Sequence, residues 1–148
     1  MYRSIRHSSI RLSPAPRRGT AAVEFALAIP VLMLLAIGCC DMGRALADYV
    51  AVSNAARVGA EYGATHAYTT YTYGSWQNVV TQRAQQEMQG SSGIDPTHLA
   101  VTVSTVPESG NLYLVTVTVT YPFNMITAWP GLPAQFNLSH SVTMQRYR

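Results

Sequence analysis

One acid stands alone in the most apolar stretch of the chain. Residues 17–40 read RRGTAAVEFALAIPVLMLLAIGCC, and the twenty-one residues from Thr20 to Cys40 hold a single charge, Glu24. An ionised carboxylate in hydrocarbon costs at least about 2–3 kcal/mol, so an acid is tolerated there chiefly when a specific cation pairs with it. Glu24 is therefore a functional candidate, and ion pairing is the chemistry it offers. The other reactive side chains offer less. Cys39 and Cys40 are adjacent and cannot staple distant segments, which leaves them as small apolar helix residues or as a lipid-attachment site. His7, His66, His98 and His140 are scattered without the HExxH spacing of a metal site. The serines lack a G-x-S-x-G elbow, and no glycine-rich phosphate loop appears. Asp95 before Pro96 fits turn chemistry. The sequence predicts no enzyme, no cofactor and no metal.

The element that must position Glu24 is a helix. From Thr20 to Cys40 an α-helix rises roughly 30 Å, the hydrocarbon thickness of a bilayer. The span is accordingly placed at 20–40, with a second placement in which Glu24 lies at head-group level and the span starts at Phe25. The net charge of +3 hides an asymmetry. Arg3, Arg6, Arg11, Arg17 and Arg18 precede the span, whereas the rest of the chain sets five Arg against seven acids. A positive flank is retained on the cytoplasmic side, which predicts a single-pass protein with its N-terminus inside and its C-terminal part outside. An Arg-rich arm can also bind nucleic acid, but no recognition module follows this one, so no nucleic-acid partner is expected.

Four segments result. Residues 1–19 form a basic Ser/Pro-containing leader with no apolar periodicity. Residues 20–40 form the membrane segment, and residues 41–63 continue the helix to about Tyr62 with Gly63 as its cap. Along this extension Met42, Leu46, Tyr49, Val50 and Ala56 fall on one side, and Asp41, Arg44, Asp48 and Arg57 largely on others. Residues 64–148 form a small α+β head. Its start, ATHAYTTYTYGS, is a Tyr-rich loop. Ser75 then reads as the N-cap of a helix in which Trp76, Val80, Ala84 and Met88 recur every four residues before Gly90.

From His98 the period falls to two. Leu99, Val101 and Val103, then Val115, Val117 and Val119, alternate with polar residues on either side of the turn sequence PESGN, which predicts an antiparallel hairpin. After the loop NMITAWPGLP, a third strand carries Phe136, Leu138 and Val142 inward. The expected fold is a long N-terminal transmembrane helix running into a head of one short helix on a three-stranded antiparallel sheet.

Residues 18–63 also resemble a known family. RRGTAAVEFALAIPVLMLLAIGCCDMGRAL followed by SNAARVGAEYGA is similar to the TadE/TadG-like minor pseudopilins of the tight-adherence (Flp) type IV pilus system. The resemblance further covers Pro30 within the span, Gly43 and Arg44 beyond it, and Ala55-Ala56-Arg57 with Gly59-Ala60. It implies that a prepilin peptidase cuts between Gly19 and Thr20, and that Glu24 and Phe25 are the acid and aromatic at mature positions five and six that serve recognition and assembly. Where many relatives carry Arg after the Gly-Ala step, this chain has Glu61. Cleavage would give Thr20 a free α-amine, mostly charged at neutral pH, four residues from Glu24. The carboxylate could then pair with its own amine or with that of an adjacent subunit. Pro30 lacks the N–H that would bond to Ala26 and is expected to kink the helix.

The resemblance implies a bacterial inner-membrane protein acting structurally in pilus biogenesis, adhesion and surface colonisation, with the extracellular pilus as its other location. Its partners would be the membrane, the prepilin peptidase, other pilins or pseudopilins, and the pilus assembly machinery. Two alternatives stay open: an uncut single-pass protein with an extracytoplasmic binding head, and a domain that is lipidated at Cys39 or secreted after cleavage beyond Ala47.

Overall fold

A computed structural model describes residues 18–89, 94–110, 112–127 and 131–147. The rest of the leader, Gly90 and the last residue of the PESGN turn lie outside them. Helix α1 runs from Arg18 to Thr65, α2 from Tyr73 to Gln89, β1 from Ala100 to Glu108, β2 from Leu112 to Asn124 and β3 from Gln135 to Tyr147. The chain divides into two compact units, the first ending at Ala36 and the second starting at Ile37.

In the first unit the apolar side chains of α1 are exposed all round, among them Val23, Phe25, Leu27, Val31 and Leu35. A helix hydrophobic on every side belongs in a core or a membrane. By length and composition α1 is able to cross a bilayer, and it is the one such helix among the described residues.

The second unit is α+β. Its three strands form an antiparallel sheet in the order β1-β2-β3. The register pairs Val103 with Val117 and Val117 with Val142. Because side chains alternate across a strand, that register sends Val115, Val117 and Val119 to one face, where all three are fully buried. The opposite face carries rows of hydroxyls that bond across strands, Thr116 to Thr143 at 2.9 Å, Thr118 to Ser141 at 2.7 Å and Thr120 to Ser139 at 3.0 Å. Gly110 at φ 80° supplies the left-handed residue that the β1–β2 turn needs.

Both helices lie on the valine face. Trp76, Val80, Ala84 and Met88 form the buried stripe of α2, as their four-residue spacing predicts. The helix starts three residues earlier than expected, at Tyr73. Thr72, rather than Ser75, is the capping position: its carbonyl accepts from Trp76 N at 2.9 Å, and its hydroxyl accepts from Thr69 N at 2.8 Å. At the β1 margin Gln77 Nε2 donates to the Val103 carbonyl at 3.2 Å, covering one open edge group. Asp95 caps a short 3-10 turn, Pro96–His98, by accepting from the Thr97 N–H and hydroxyl at 2.9 and 2.7 Å.

The extension of α1 differs from expectation in two respects. It continues to Thr65, and the face that it buries is made of small residues: Ala45, Ala51, Val52, Ala55, Ala56, Gly59, Ala60 and Gly63. Met42, Leu46, Tyr49 and Val50 stay largely exposed. Close approach to the sheet explains both. A Cβ on Gly59 would stand 3.2 Å from Val117 Cγ1, and one on Gly63 would stand 2.8 Å from Val115 Cγ1 and 3.2 Å from Trp76. Gly63 is thus a packing residue inside the helix, not its cap.

These contacts also give the second unit a polarity. Gly63 lies against Val115, and Asp41 is bonded to Ile126, 22 residues back on the helix and 11 residues on along the chain. Both paths measure roughly 35 Å, so α1 runs antiparallel to β2. The β2–β3 connection lies beside Asp41, and the β1–β2 turn lies at the far end.

Candidate functional site: the apolar helix and its collar

Gly19, Thr20, Glu24 and Phe25 fall within the first two turns of α1, and all four are exposed on the helix surface. Thr20 and Glu24, four residues apart, share one helix face. Nothing lies within 4 Å of where a Gly19 Cβ would stand. Among the described residues the site is therefore linear and open, with no pocket wall of its own. Pro30 lies within the helix, and Cys39 and Cys40 are free thiols on its exposed surface.

Past the apolar run a polar collar begins. Asp41 is buried, and its Oδ1 accepts from the Ile126 backbone N–H at 3.1 Å and from Arg44 at 3.3 Å. The Arg44 guanidinium in turn lies 5.2 Å from the centroid of the Phe123 ring, which is buried and tilted against Phe136. One carboxylate thus ties helix to loop, and its neutralising cation covers an aromatic face, an attractive geometry for a guanidinium. Sequence reading placed Arg44 in a motif and Asp41 on a polar side. It missed their joint role because Ile126 contributes only a backbone N–H, which no side-chain pattern reveals.

One turn further, Asp48 is part-buried, and its carboxyl is pushed above the ordinary range by desolvation, partly offset by Arg44. Tyr49 Oη and His140 Nδ1 share a hydrogen bond of 3.2 Å, joining α1 to β3. Ala55, Ala56, Gly59 and Ala60 form the seam under the sheet, whereas Arg57 and Glu61 face outward. The small residues from Ala55 to Ala60 thus have a packing reason, which the neighbouring charges Arg57 and Glu61 lack.

The Tyr-rich stretch occupies the far end. Tyr68 packs on Tyr73 and Trp76 with ring centroids 5.0 and 4.6 Å away, and buried Arg146 lies 4.3 Å over the Tyr68 ring and 5.6 Å from Tyr113. Tyr71 stands fully in solvent. The loop closes the end of the core. Its role was illegible because the partner cation comes from a strand more than seventy residues away.

Among the described residues no three His, Cys, Asp or Glu side chains gather in a way that could hold a metal ion. The arrangement offers an apolar anchor, an acid within it, and a charge-neutralised collar. Residues 19–61 match the family model described as TadE-like protein. No curated protein and no solved structure matches the chain.

Proposed function

We propose that this chain, with a TadE-like segment on a helix able to span a bilayer, is a minor pseudopilin or pilus-assembly protein of a tight-adherence (Flp) type IV pilus. It acts structurally, not as an enzyme. In this reading the arginine-rich leader stays in the cytoplasm, the α+β head lies outside the inner membrane, and a prepilin peptidase removes residues 1–19. Cleavage creates the Thr20 α-amine, and Glu24 pairs with that amine or with the equivalent group of a neighbouring pilin subunit. Pairing offsets the cost of an acid in hydrocarbon and selects the register of packed helices. Phe25 supports recognition of the same turn, and a kink at Pro30 eases repacking of the helix when it leaves the bilayer. Adhesion and surface colonisation follow from participation in the fibre or in its assembly.

The observation that carries the reading is the coincidence of the match with the helix. The match begins at Gly19, and the sole acid of the apolar run lies five residues later. Mass spectrometry of the protein from its native host tests it directly. The expected mature chain starts at Thr20; a chain starting at Met1, Cys39 or Asp48 would refute the processing and with it the pseudopilin assignment.

A further inference from the structure

Exposed loops in aqueous proteins are built from residues that water solvates well, and the β2–β3 connection is not. Residues 124–134, NMITAWPGLPA, contain no charged side chain. Ile126 is 67% exposed and Leu132 58%. Scattered exposed apolar residues are unremarkable, but two on one uncharged loop beside an apolar recess form a patch that calls for a partner.

The position of the loop identifies that partner. Its base is closed by Met125 N donating to the Ala134 carbonyl at 3.0 Å, and its first turn is pinned by Ile126 N on Asp41 Oδ1 at 3.1 Å. Asp41 is the residue directly after the apolar run. The two described ends of the loop, 124–127 and 131–134, are therefore held beside the helix at the level where that run ends, at the opposite end of the sheet from the β1–β2 turn. Between loop and helix lies a mostly apolar hollow of about 210 Å³, lined by Gly38, Met42, Ala45, Phe123, Met125, Leu132 and Phe136, with Asp41 as its one charged lining residue. The two charges at this level, Asp41 and Arg44, are paired with each other at 3.3 Å. Pairing lowers the cost of placing these two charges beside a low-dielectric neighbour.

We propose that the β2–β3 loop is a second membrane-contacting element, which lays Ile126 and Leu132 into the interfacial layer of the leaflet from which α1 emerges, with the hollow opening onto the phospholipids. The occupant is a lipid surface, because the patch is continuous with the end of a segment that itself requires one. Apolar side chains at this depth gain by leaving water, while the two hydrogen bonds at the base of the loop satisfy the Met125 and Ile126 N–H groups. The inference rests on the membrane reading of α1, and the test distinguishes the two.

The full chain with Cys39 and Cys40 replaced by Ala is reconstituted in phosphatidylcholine–phosphatidylglycerol vesicles, with one nitroxide label attached through Leu32→Cys, Ile126→Cys, Leu132→Cys or Val106→Cys. Collision rates with oxygen, which concentrates in lipid, and with a neutral nickel chelate, which stays in water, are measured for each. Val106 lies on β1 towards the far turn and is 54% exposed, so it is the aqueous reference. The expected result is a severalfold higher oxygen-to-nickel ratio at 126 and 132 than at 106, approaching that at 32. Ratios at 126 and 132 equal to that at 106, with 32 still oxygen-rich, would overturn the loop proposal and leave the anchor intact. Labels at 126 and 132 shielded from both reagents would assign the patch to a protein partner instead. A nickel-accessible label at 32 would overturn the anchor, and the loop proposal with it.

Discussion

Gly63 carries more structural information than any large residue of its helix. A methyl group there would meet Val115 Cγ1 at 2.8 Å, and neither Val115 nor Trp76 has solvent to retreat into. Gly63→Ala gains up to about 1 kcal/mol of helix propensity but forces an overpacked seam that costs about 1–3 kcal/mol. We expect net destabilisation, read as a lower midpoint of thermal unfolding. An unchanged or raised midpoint would show that α1 stands further from the sheet. Asp48 makes a prediction of the opposite sign. Burial raises its carboxyl pKa on folding, so the folded state holds the proton more tightly, and stability is lost as pH rises through the folded value. Asp48→Asn should therefore raise the unfolding midpoint at pH 7 and have little effect at pH 3. A difference independent of pH would exclude desolvation as the cause. Asp95, whose hydrogen bonds from Thr97 hold its carboxyl below the ordinary range, contributes in the other direction, losing stability as pH falls through its folded value.

Among the elements, β2 shows how far alternation alone determines a face. Val115, Val117 and Val119 point into the core, and Thr116, Thr118 and Thr120 point out, so substitutions one residue apart should have unlike consequences. Val117→Thr buries a hydroxyl beside Gly59 and is expected to cost about 1–3 kcal/mol, whereas Thr116→Val loses only an exposed bond to Thr143 and should stay within about 0.5 kcal/mol. Equal effects in chemical denaturation would mean that the register is wrong. The same periodicity made the strands and the Trp76–Met88 stripe readable from sequence, since a single burial surface dictates a regular spacing. The extension of α1 was not readable in this way. Apart from Val52, its buried face from Ala45 to Gly63 consists of alanines and glycines that allow close approach, while hydropathy favours Met42 and Leu46, which are 67% and 64% exposed. Glu24 and its neighbours were recognisable because a charge in an apolar run is conspicuous. The Asp41–Ile126 tie and the Arg146 aromatic cap were not, because each joins segments distant in the chain.

At the scale of the whole molecule, the core among the described residues is confined to one unit. Its buried side chains fall between Asp41 and Arg146, and none comes from the apolar residues up to Ala36. A chain beginning at Ile37 should therefore fold in mild detergent and unfold in a single cooperative transition at the midpoint of the full-length protein, as followed by circular dichroism. A non-cooperative transition would show that the apolar segment supports the head. The strand order has a consequence in time. β2 is the central strand, and its second neighbour, β3, is the last described element in chain order. Until Gln135–Tyr147 pairs with it, the β2 backbone is left open along one margin, and Tyr68 lacks the Arg146 that covers it. Completion of the head thus waits for its last described strand, so a chain stalled before Gln135 remains unfinished and open to strand pairing with other chains.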